Sequence, residues 1–311
     1  MLQRYLFFPN FASIMTISSI KKNSLKAWIL ASRPKTLTGA SVPVAMGVVL
    51  SYVDNSYLFK IIPAVLCFLF AFIMQIDANF INDFFDYAKG VDNEKRLGPK
   101  RACAEGWVSA SSMKRAIGFT TLLACAVGLP LVIWVRLELL IVGVLCVLFC
   151  FLYTTHLSYM GLGDLLVVVF FGIVPVCITY YIQLHTCTWY VFISSVACGL
   201  IIDTLMVVNN YRDRYTDILS GKRTLITRIG ERNSKNFYLM LGISGVLSGL
   251  IYLHNDHIWA FILPLFYLIP HFFTYRRMVQ IDRGPELNTV LGMTARNILI
   301  YGILFVIGLL L

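Results

Sequence analysis

Long apolar runs alternate with short polar connections along almost the entire chain. Runs of about 17–22 residues are long enough for a helix to cross roughly 30 Å of hydrocarbon. The runs are continuous and lack the period-two alternation of strands, which favours helices over a barrel. We therefore expect an all-α, polytopic membrane protein with nine transmembrane helices around a central cavity. The predicted spans are residues 37–53, 61–82, 117–135, 139–157, 164–182, 189–210, 237–253, 258–275 and 297–311.

A single domain accounts for these spans. We expect residues 31–311 to form one transmembrane domain, and residues 1–30 to form an N-terminal cytosolic segment that is partly disordered or interfacial. The composition agrees, because 58% of the 311 residues are hydrophobic and only 14% are charged. A soluble surface needs more charge than this to be solvated.

Cations are concentrated on one side of the predicted helices. Six Lys and Arg residues precede the first span, seven lie in each of the second and sixth connections, and four lie in the eighth. Only Lys60 and Arg136 fall on the opposite side. The positive-inside rule then predicts a cell (inner) membrane protein with a cytosolic N-terminus and an outer C-terminus. This asymmetry explains most of the net charge of +10, so neither nucleic-acid binding nor an obligate protein partner is implied.

A short repeat marks the cytosolic ends of the second and sixth spans. Residues 82–86 (Asn-Asp-Phe-Phe-Asp) and 209–213 (Asn-Asn-Tyr-Arg-Asp) share the pattern Asn-x-aromatic-x-Asp, and each leads into a basic loop. Four spans separate the two copies, so both have the same orientation in the membrane. The repeat predicts two parallel four-helix halves followed by a ninth helix.

Each copy belongs to a ladder of oxygen-bearing side chains on one helical face. In the sixth span, Asn209, Asp213 and Asp217 are spaced four residues apart. Carboxylate and amide oxygens suit magnesium, which often binds through few carboxylates plus substrate phosphates. The ladder of the second span consists of Gln75, Asn79, Asn82, Asp83 and Asp86, with Asp92 following in the loop.

Cations surround both ladders. Solvated helix ends explain acidic residues alone, and topology explains loop cations alone, but the two together favour an anion bridged by metal, most simply a diphosphate. These cations are Lys89, Lys95, Arg96, Lys100 and Arg101 in one loop, and Arg212, Lys222, Arg223 and Arg228 in the other.

Two acidic residues lie deeper in the predicted spans. Asp77 is on the face of the second span opposite the ladder, and Asp203 is about two turns inside the sixth span. Intramembrane acids are costly and often functional. Either one could instead accept an interhelical hydrogen bond, and the sequence leaves both interpretations open.

These motifs resemble the UbiA-type superfamily of intramembrane aromatic prenyltransferases, over a region from about Ala31 to the last helix. Gly90-x-Asp92, the Gly98-Pro99 loop and the run Gly221–Leu225 resemble its dihydroxynaphthoate branch. His156 and Asp164 depart from the family pattern around Tyr153. The segments that carry the resemblance are Arg33–Leu37, Asn82–Asp92, Arg96–Arg101, Tyr153-Thr154, Tyr159–Asp164, Asn209–Asp217 and Gly221–Leu225.

The resemblance implies transfer of a polyprenyl group from polyprenyl diphosphate to 1,4-dihydroxy-2-naphthoate. Diphosphate and carbon dioxide would be lost, giving a demethylmenaquinol in menaquinone biosynthesis. The lipid bilayer would hold the prenyl tail and shield the reaction from water. A sibling prenyltransferase acting on 4-hydroxybenzoate, homogentisate or haem is an alternative. A cation-coupled transporter is a more remote alternative.

The resemblance also implies a site built from both ladders. Two magnesium ions, replaceable by manganese, would bridge the diphosphate, and Tyr153 or Phe85 could stabilise an allylic cation. The implied metal ligands are Asp86, Asp92, Asp213, Asp217, Asn82 and Asn209. The implied catalytic residues are the same four aspartates and Tyr153. The implied substrate-binding residues are Asn82, Asn209, Lys89, Arg96, Arg212, Lys222 and Arg223.

Overall fold

The structure is a computed structural model that describes residues 20–90, 96–254 and 257–311. These residues form helices and turns with no β-strand among them, which confirms the predicted all-α class. The α-helices are α1 (Leu25–Ser32), α2 (Leu37–Asp54), α3 (Ile61–Ala88), α4 (Ala110–Trp134), α5 (Leu139–Thr155), α6 (Gly163–Val168), α7 (Val174–Leu184), α8 (Trp189–Leu219), α9 (Leu225–Leu247), α10 (Trp259–Leu265), α11 (Leu268–Ile281) and α12 (Leu287–Leu310). The shorter elements are 3₁₀ turns at Pro34–Thr36, Leu157–Tyr159 and Ser248–His254, and a π-helical turn at Val169–Ile173.

Every predicted apolar run is helical, but the helices differ in length. Within the described chain, seven helical segments are long and apolar enough to cross a membrane, and α5 is shorter, with 17 residues. The run predicted at residues 258–275 forms the two short helices α10 and α11. Pro270 contributes to this break, because proline has no N–H to donate to the carbonyl of Phe266. The number of nine membrane crossings stays a prediction.

The two helices that carry the motifs are longer than their apolar runs. α3 has 28 residues and α8 has 31. At 1.5 Å per residue these lengths are roughly 42 and 46 Å, against about 30 Å of hydrocarbon. The predicted apolar spans end at residues 82 and 210, whereas the helices continue to Ala88 and Leu219. The polar side chains of both motifs are therefore held on rigid helix ends.

Small residues bring α8 close to the segment formed by α6 and α7. A Cβ on Gly172 would lie 2.5 Å from the carbonyl oxygen of Ser195, and a Cβ on Gly199 would lie 2.8 Å from the Cα of Val168. Such close backbone contact is typical of helix packing in membranes. α8 also contributes to a hydrophobic cluster shared with α2, α7 and α12. That cluster includes Met46, Tyr180, Ile201, Tyr301 and Phe305.

The helix α1 packs against α3. Ala27 and Ala31 are buried, and the ring of Trp28 meets Phe80 edge to face, with 5.6 Å between centroids. The boundary predicted between residues 30 and 31 therefore falls inside a helix that contacts the rest of the protein. Residues 1–19, which make up most of the predicted N-terminal segment, lie outside the described residues.

Candidate active site

The ends of α3 and α8 face one cavity of about 1680 Å³. Its polar end carries side chains of both motifs, and the remainder is lined mainly by apolar residues of α2, α4, α5 and the α6–α7 segment. A cavity with one polar end and a long apolar part suits a ligand with a charged head and a hydrocarbon tail. The ladder residues on its wall are Gln75, Asn82, Asp86, Asn209, Asp213 and Asp217, and the motif residues Asn210 and Arg212 also line it.

The α3 ladder that faces this cavity is narrower than predicted. Asp83 is only 1% exposed, and its two carboxylate oxygens accept hydrogen bonds from the backbone N–H groups of Ala102 and Cys103, both at 2.8 Å. Asn79 is also buried and donates to the carbonyl oxygen of Ser32 at 2.9 Å. These two ladder residues therefore fix neighbouring segments of the chain instead of facing the cavity.

The remaining polar residues of α3 are held by partners from distant parts of the sequence. Asp86 forms an ion pair with Arg101, at 3.1 Å between Oδ2 and Nη2, and the Arg101 side chain is 8% exposed. The Oδ1 of Asn82 accepts a hydrogen bond from the hydroxyl of Thr154 at 2.9 Å. The orientation of the first motif thus depends on the loop that follows α3 and on the end of α5.

At the end of α8, one arginine organises the second motif. Arg212 is 1% exposed, and its Nε and Nη2 donate to the two oxygens of Asp213 at 2.8 and 2.6 Å. Its Nη2 also donates to Oδ1 of Asn209 at 2.9 Å, and its Nη1 donates to Oδ1 of Asn288 at 2.8 Å. A role for Arg212 in binding phosphate stays a prediction, because these contacts are those of a residue that positions other side chains.

Asp217 is the third carboxylate on the cavity wall. The residue is 7% exposed, and its Oδ1 lies 3.6 Å from Nζ of Lys222. Its Oδ2 is buried without a hydrogen-bond partner among the described residues. A buried carboxylate oxygen that lacks a partner is costly, so this oxygen is suited to accept a cation or a donor from a ligand.

Two of the predicted phosphate ligands contact backbone carbonyl groups at the cavity wall. Nζ of Lys89 donates to the carbonyl oxygen of Thr155 at 3.0 Å and lies 4.4 Å from the ring centroid of Tyr159. Nε of Arg96 donates to the carbonyl oxygen of Pro99 at 3.1 Å. Both side chains line the cavity, and their contact with phosphate stays a prediction.

The other predicted residues have different positions. Tyr153 lines the cavity, with its hydroxyl 3.5 Å from Sδ of Met206. Arg223 is exposed and lies outside the set of described residues that form the wall, and its role in substrate binding stays a prediction. Phe85 also lies outside that set and packs into a hydrophobic cluster between α1, α3 and α4. Asp92 falls in residues 91–95, outside the described residues.

The two deeper acids have different surroundings. Asp77 is fully buried and accepts hydrogen bonds from the hydroxyls of Thr120 and Thr121 at 2.5 and 2.8 Å. These bonds join α3 to α4, as expected if Asp77 accepts interhelical hydrogen bonds. Asp203 is 1% exposed, and its Oδ1 has no hydrogen-bond partner within the described part of the chain. Asp164 is 6% exposed, and neither of its carboxylate oxygens has a partner there.

Sequence reasoning missed Asn288. This residue lies at the start of α12, lines the cavity and accepts the hydrogen bond from Arg212. Nothing in the sequence near position 288 resembles the two Asn/Asp motifs, and 76 residues separate it from Arg212. Only the packing of α12 beside α8 could reveal the contact.

The donor set at the polar end of the cavity suits magnesium. Across residues 20–90, 96–254 and 257–311, no three His, Cys, Asp or Glu side chains are grouped closely enough to hold a metal ion by themselves. Magnesium commonly keeps several waters and uses one or two carboxylates plus substrate phosphates, so a closed protein cage is not required. The unpartnered Oδ2 of Asp217 and the amide oxygens of Asn82 and Asn209 agree with such a site.

Comparison with known proteins agrees with this arrangement. The chain is 33% identical over 298 residues to a protein of Escherichia coli (strain K12) named 1,4-dihydroxy-2-naphthoate octaprenyltransferase, which covers 91% of this chain and 95% of that protein. Two solved structures share the fold. One is the apo structure of a UbiA homolog from Aeropyrum pernix K1, with a TM-score of 0.67, 14% identity, and coverage of 87% of this chain and 97% of that chain. The other is a UbiA homolog from Archaeoglobus fulgidus bound to DMAPP and Mg²⁺, with a TM-score of 0.64, 11% identity, and coverage of 90% and 99%.

The family comparison covers most of the chain. Residues 40–308 match the UbiA prenyltransferase family, and this region contains both motifs and nine of the twelve α-helices in full. The same region includes the polar motif residues on the cavity wall. The chain therefore belongs to the UbiA prenyltransferase family.

Proposed function

We propose that this protein transfers a polyprenyl group from a polyprenyl diphosphate to 1,4-dihydroxy-2-naphthoate, as a step of menaquinone biosynthesis. Diphosphate and carbon dioxide are released, and the product is a demethylmenaquinol. The observation that carries the proposal is that three carboxylates from α3 and α8 line the same large and mostly apolar cavity. The choice of acceptor is supported by the name of the E. coli relative.

We propose that magnesium, as two ions, joins the protein to the diphosphate. When bound, magnesium would neutralise the negative charge that grows on the diphosphate as its bond to the prenyl carbon breaks. Manganese should substitute, because it also prefers oxygen ligands. The proposed ligands are Asp86, Asp213 and Asp217, the amide oxygens of Asn82 and Asn209, and Asp92, which lies outside the described residues.

Cations of the chain are proposed to hold the diphosphate itself. Lys222 lies 3.6 Å from Asp217, so its charge is already at the polar end of the cavity. Lys89 and Arg96 line the same end. An ammonium or guanidinium group beside phosphate oxygens makes charge-assisted hydrogen bonds, which are stronger than neutral ones. Arg212 supports this arrangement by fixing the carboxylate of Asp213.

The apolar part of the cavity accounts for the remainder of the reaction. Its wall keeps water away from the allylic cation that forms when the diphosphate leaves, and the ring of Tyr153 on that wall can stabilise positive charge. The acceptor carbon that bears the carboxylate then bonds to the prenyl carbon. The electron pair of the broken bond to the carboxylate restores the aromatic ring as carbon dioxide leaves.

The family and the apolar helices make this chain a multi-pass membrane protein. We propose that it lies in the cell (inner) membrane with its N-terminus and its polar cavity end in the cytosol, because the basic loops follow α3 and α8. The test uses a chain whose own cysteines are replaced by alanine. A membrane-impermeant thiol reagent applied to intact cells should label His185→Cys but neither Leu97→Cys nor Leu219→Cys. The reverse labelling pattern would contradict this orientation.

The reaction is tested with purified protein in detergent. Magnesium, a polyprenyl diphosphate and one acceptor are mixed, and the products are identified by mass spectrometry. We expect a prenylated, decarboxylated product from 1,4-dihydroxy-2-naphthoate. Parallel reactions with 4-hydroxybenzoate, homogentisate and haem serve as acceptor controls, and efficient turnover of one of these in place of the naphthoate would overturn the proposed acceptor. The Asp86→Asn variant is the matched control for enzyme-dependent product.

A further inference from the structure

The loop at residues 96–101 is bonded directly to the first motif and is linked to the second motif through Asn288. At one end, the carbonyl oxygen of Leu97 accepts a hydrogen bond from Nδ2 of Asn288 at 2.8 Å. At the other end, Arg101 forms the 3.1 Å ion pair with Asp86. Six consecutive residues therefore connect to the carboxylate of α3 directly and to the start of α12 through one side chain.

Asn288 uses both ends of its amide group. While Nδ2 donates to Leu97, Oδ1 accepts from Nη1 of Arg212 at 2.8 Å, and Arg212 in turn holds both oxygens of Asp213. Leu97 and Arg212 are 191 and 76 residues away from Asn288 in sequence. Neither contact serves the backbone of α12 itself, so a helix-capping role does not explain this side chain.

The loop also contacts the guanidinium group. A Cβ on Gly98 would lie 2.8 Å from Nη2 and 3.2 Å from Cζ of Arg212, so the loop backbone packs directly against that group. Any larger residue at position 98 must push the loop or Arg212 aside. The backbone φ of Gly98 is not in the left-handed region, so its conformation does not require glycine. Glycine is needed here because the loop lies so close to Arg212.

The start of α12, which carries Asn288, is packed into the hydrophobic core. Leu287 and Val290, on either side of it, are fully buried in a hydrophobic cluster of α8, α9, α11 and α12. Tyr211, the neighbour of Arg212, is buried in the same cluster. The two ends of the Asn288–Arg212 contact are thus fixed by one packed core, which makes the position of the amide well defined.

We propose that Asn288 is a positioning residue that holds the 96–101 loop against Arg212 and so fixes the relative position of Asp86 and Asp213. Without this contact, the two groups of carboxylates would no longer be held at the separation needed to share one metal-bound diphosphate. The inference rests on the proposed function of that site. It assigns Asn288 to the prenyl-donor end of the cavity and not to binding of the aromatic acceptor.

The experiment compares Asn288→Leu, Asn288→Asp and Gly98→Ala with the wild type. Leucine has a similar size but removes both hydrogen bonds. Aspartate keeps an acceptor for Arg212 but cannot donate to Leu97. Alanine at position 98 pushes the loop from Arg212 while leaving Asn288 intact. The matched controls are Asn233→Leu, at an exposed position on α9, and Gly118→Ala, where an added Cβ has no atom within 4 Å.

The first readout is calorimetric binding of inorganic diphosphate in the presence of magnesium, which does not depend on turnover. We expect Asn288→Leu to weaken binding about 10- to 100-fold, as is typical when a hydrogen bond to a charged group is lost. Asn288→Asp and Gly98→Ala should weaken it by smaller factors. Asn233→Leu and Gly118→Ala should bind like the wild type.

The second readout is steady-state kinetics with each substrate varied in turn. The KM for prenyl diphosphate and the magnesium concentration for half-maximal rate should rise in all three test variants, while the KM for the acceptor should stay within about twofold. Wild-type diphosphate binding in Asn288→Leu, or an equal rise of both KM values, would overturn the inference. If Asn288→Leu does not fold, the other two variants decide. Failure of the proposed function would instead appear as a wild type that binds no diphosphate and forms no product.

Discussion

The two motif ends look alike in sequence but are held in different ways. In both copies the first Asn and the last Asp line the cavity. The second residue, Asp83 or Asn210, is buried in both copies, but only Asn210 lines the cavity. In α8, the neighbouring Arg212 fixes Asp213 with two hydrogen bonds from within the same helix. In α3, Asp86 takes its cation from Arg101, fifteen residues away in a loop.

This difference indicates that the α8 end is preformed and that the α3 end depends on the docking of its loop. Asp83 shows the same dependence, since its carboxylate is occupied by the backbone of Ala102 and Cys103. A ladder of acids read from sequence therefore contains two kinds of residue. Some, such as Asp86, face the cavity. Others, such as Asp83, hold the loop whose Arg101 pairs with Asp86.

The largest effect is expected when a cavity carboxylate loses its charge. Asp86→Asn and Asp213→Asn nearly preserve shape, and each should lower kcat by at least 10²–10³, the usual cost of one electrostatic contact in a water-poor site. The double variant should lose much less than the product of the two factors, because both groups act on one diphosphate. Rates of purified variants, compared at equal thermal stability, give the measurement. Independent, multiplicative losses would indicate two separate sites.

Exchanging Arg212 and Arg101 for lysine, one at a time, tests how strongly each motif end depends on its arginine. Arg212→Lys loses the two-pronged contact with Asp213 and leaves Asn209 and Asn288 without their donor, so kcat should fall about 10- to 100-fold. Arg101→Lys keeps a charge near Asp86 and should cost about tenfold or less. Steady-state assays give kcat for both variants. A larger loss of kcat in Arg101→Lys than in Arg212→Lys would contradict the conclusion that the α8 end is the preformed one.

A smaller effect, on stability, is expected at Asp83. Asp83→Asn leaves one backbone N–H of the loop facing an NH₂ group, which cannot accept a hydrogen bond, so unfolding free energy in detergent should fall by about 1–3 kcal/mol. The matched control is Asp77→Asn. Its partners, Thr120 and Thr121, are hydroxyls that can rotate and accept from the new amide. That control should remain nearly as stable as the wild type and keep most activity. Equal destabilisation of the two variants would argue against a special role for the loop.

The apolar runs were sufficient to predict the helices, because the length of a hydrophobic run is set by the bilayer. They did not predict the helix ends. α3 and α8 extend six and nine residues past their predicted spans, and α9 begins at Leu225 instead of residue 237. Hydropathy reports only the part of a helix that lies in hydrocarbon, and these extensions are polar.

Helical periodicity predicted only partly which residues of the motifs and ladders line the cavity. Asn82, Asp86, Asn209, Asp213 and Asp217 were placed there correctly. Asp83 and Asn79 share the same broad face, but loops and α1 cover them, and a loop contact between residues about twenty positions apart leaves no periodic signal.

The proposed site requires that α3 and α8 bind one diphosphate together through magnesium. The most direct test is calorimetric binding of a non-hydrolysable prenyl thiodiphosphate to the wild type, Asp86→Asn and Asp213→Asn, each with magnesium and with chelator. We expect the wild type to bind the thiodiphosphate with magnesium, and we expect chelator to abolish this binding. The affinity of both variants should be lower by at least about 100-fold. Undiminished binding in chelator, or a loss confined to one of the two variants, would contradict a shared metal–diphosphate site.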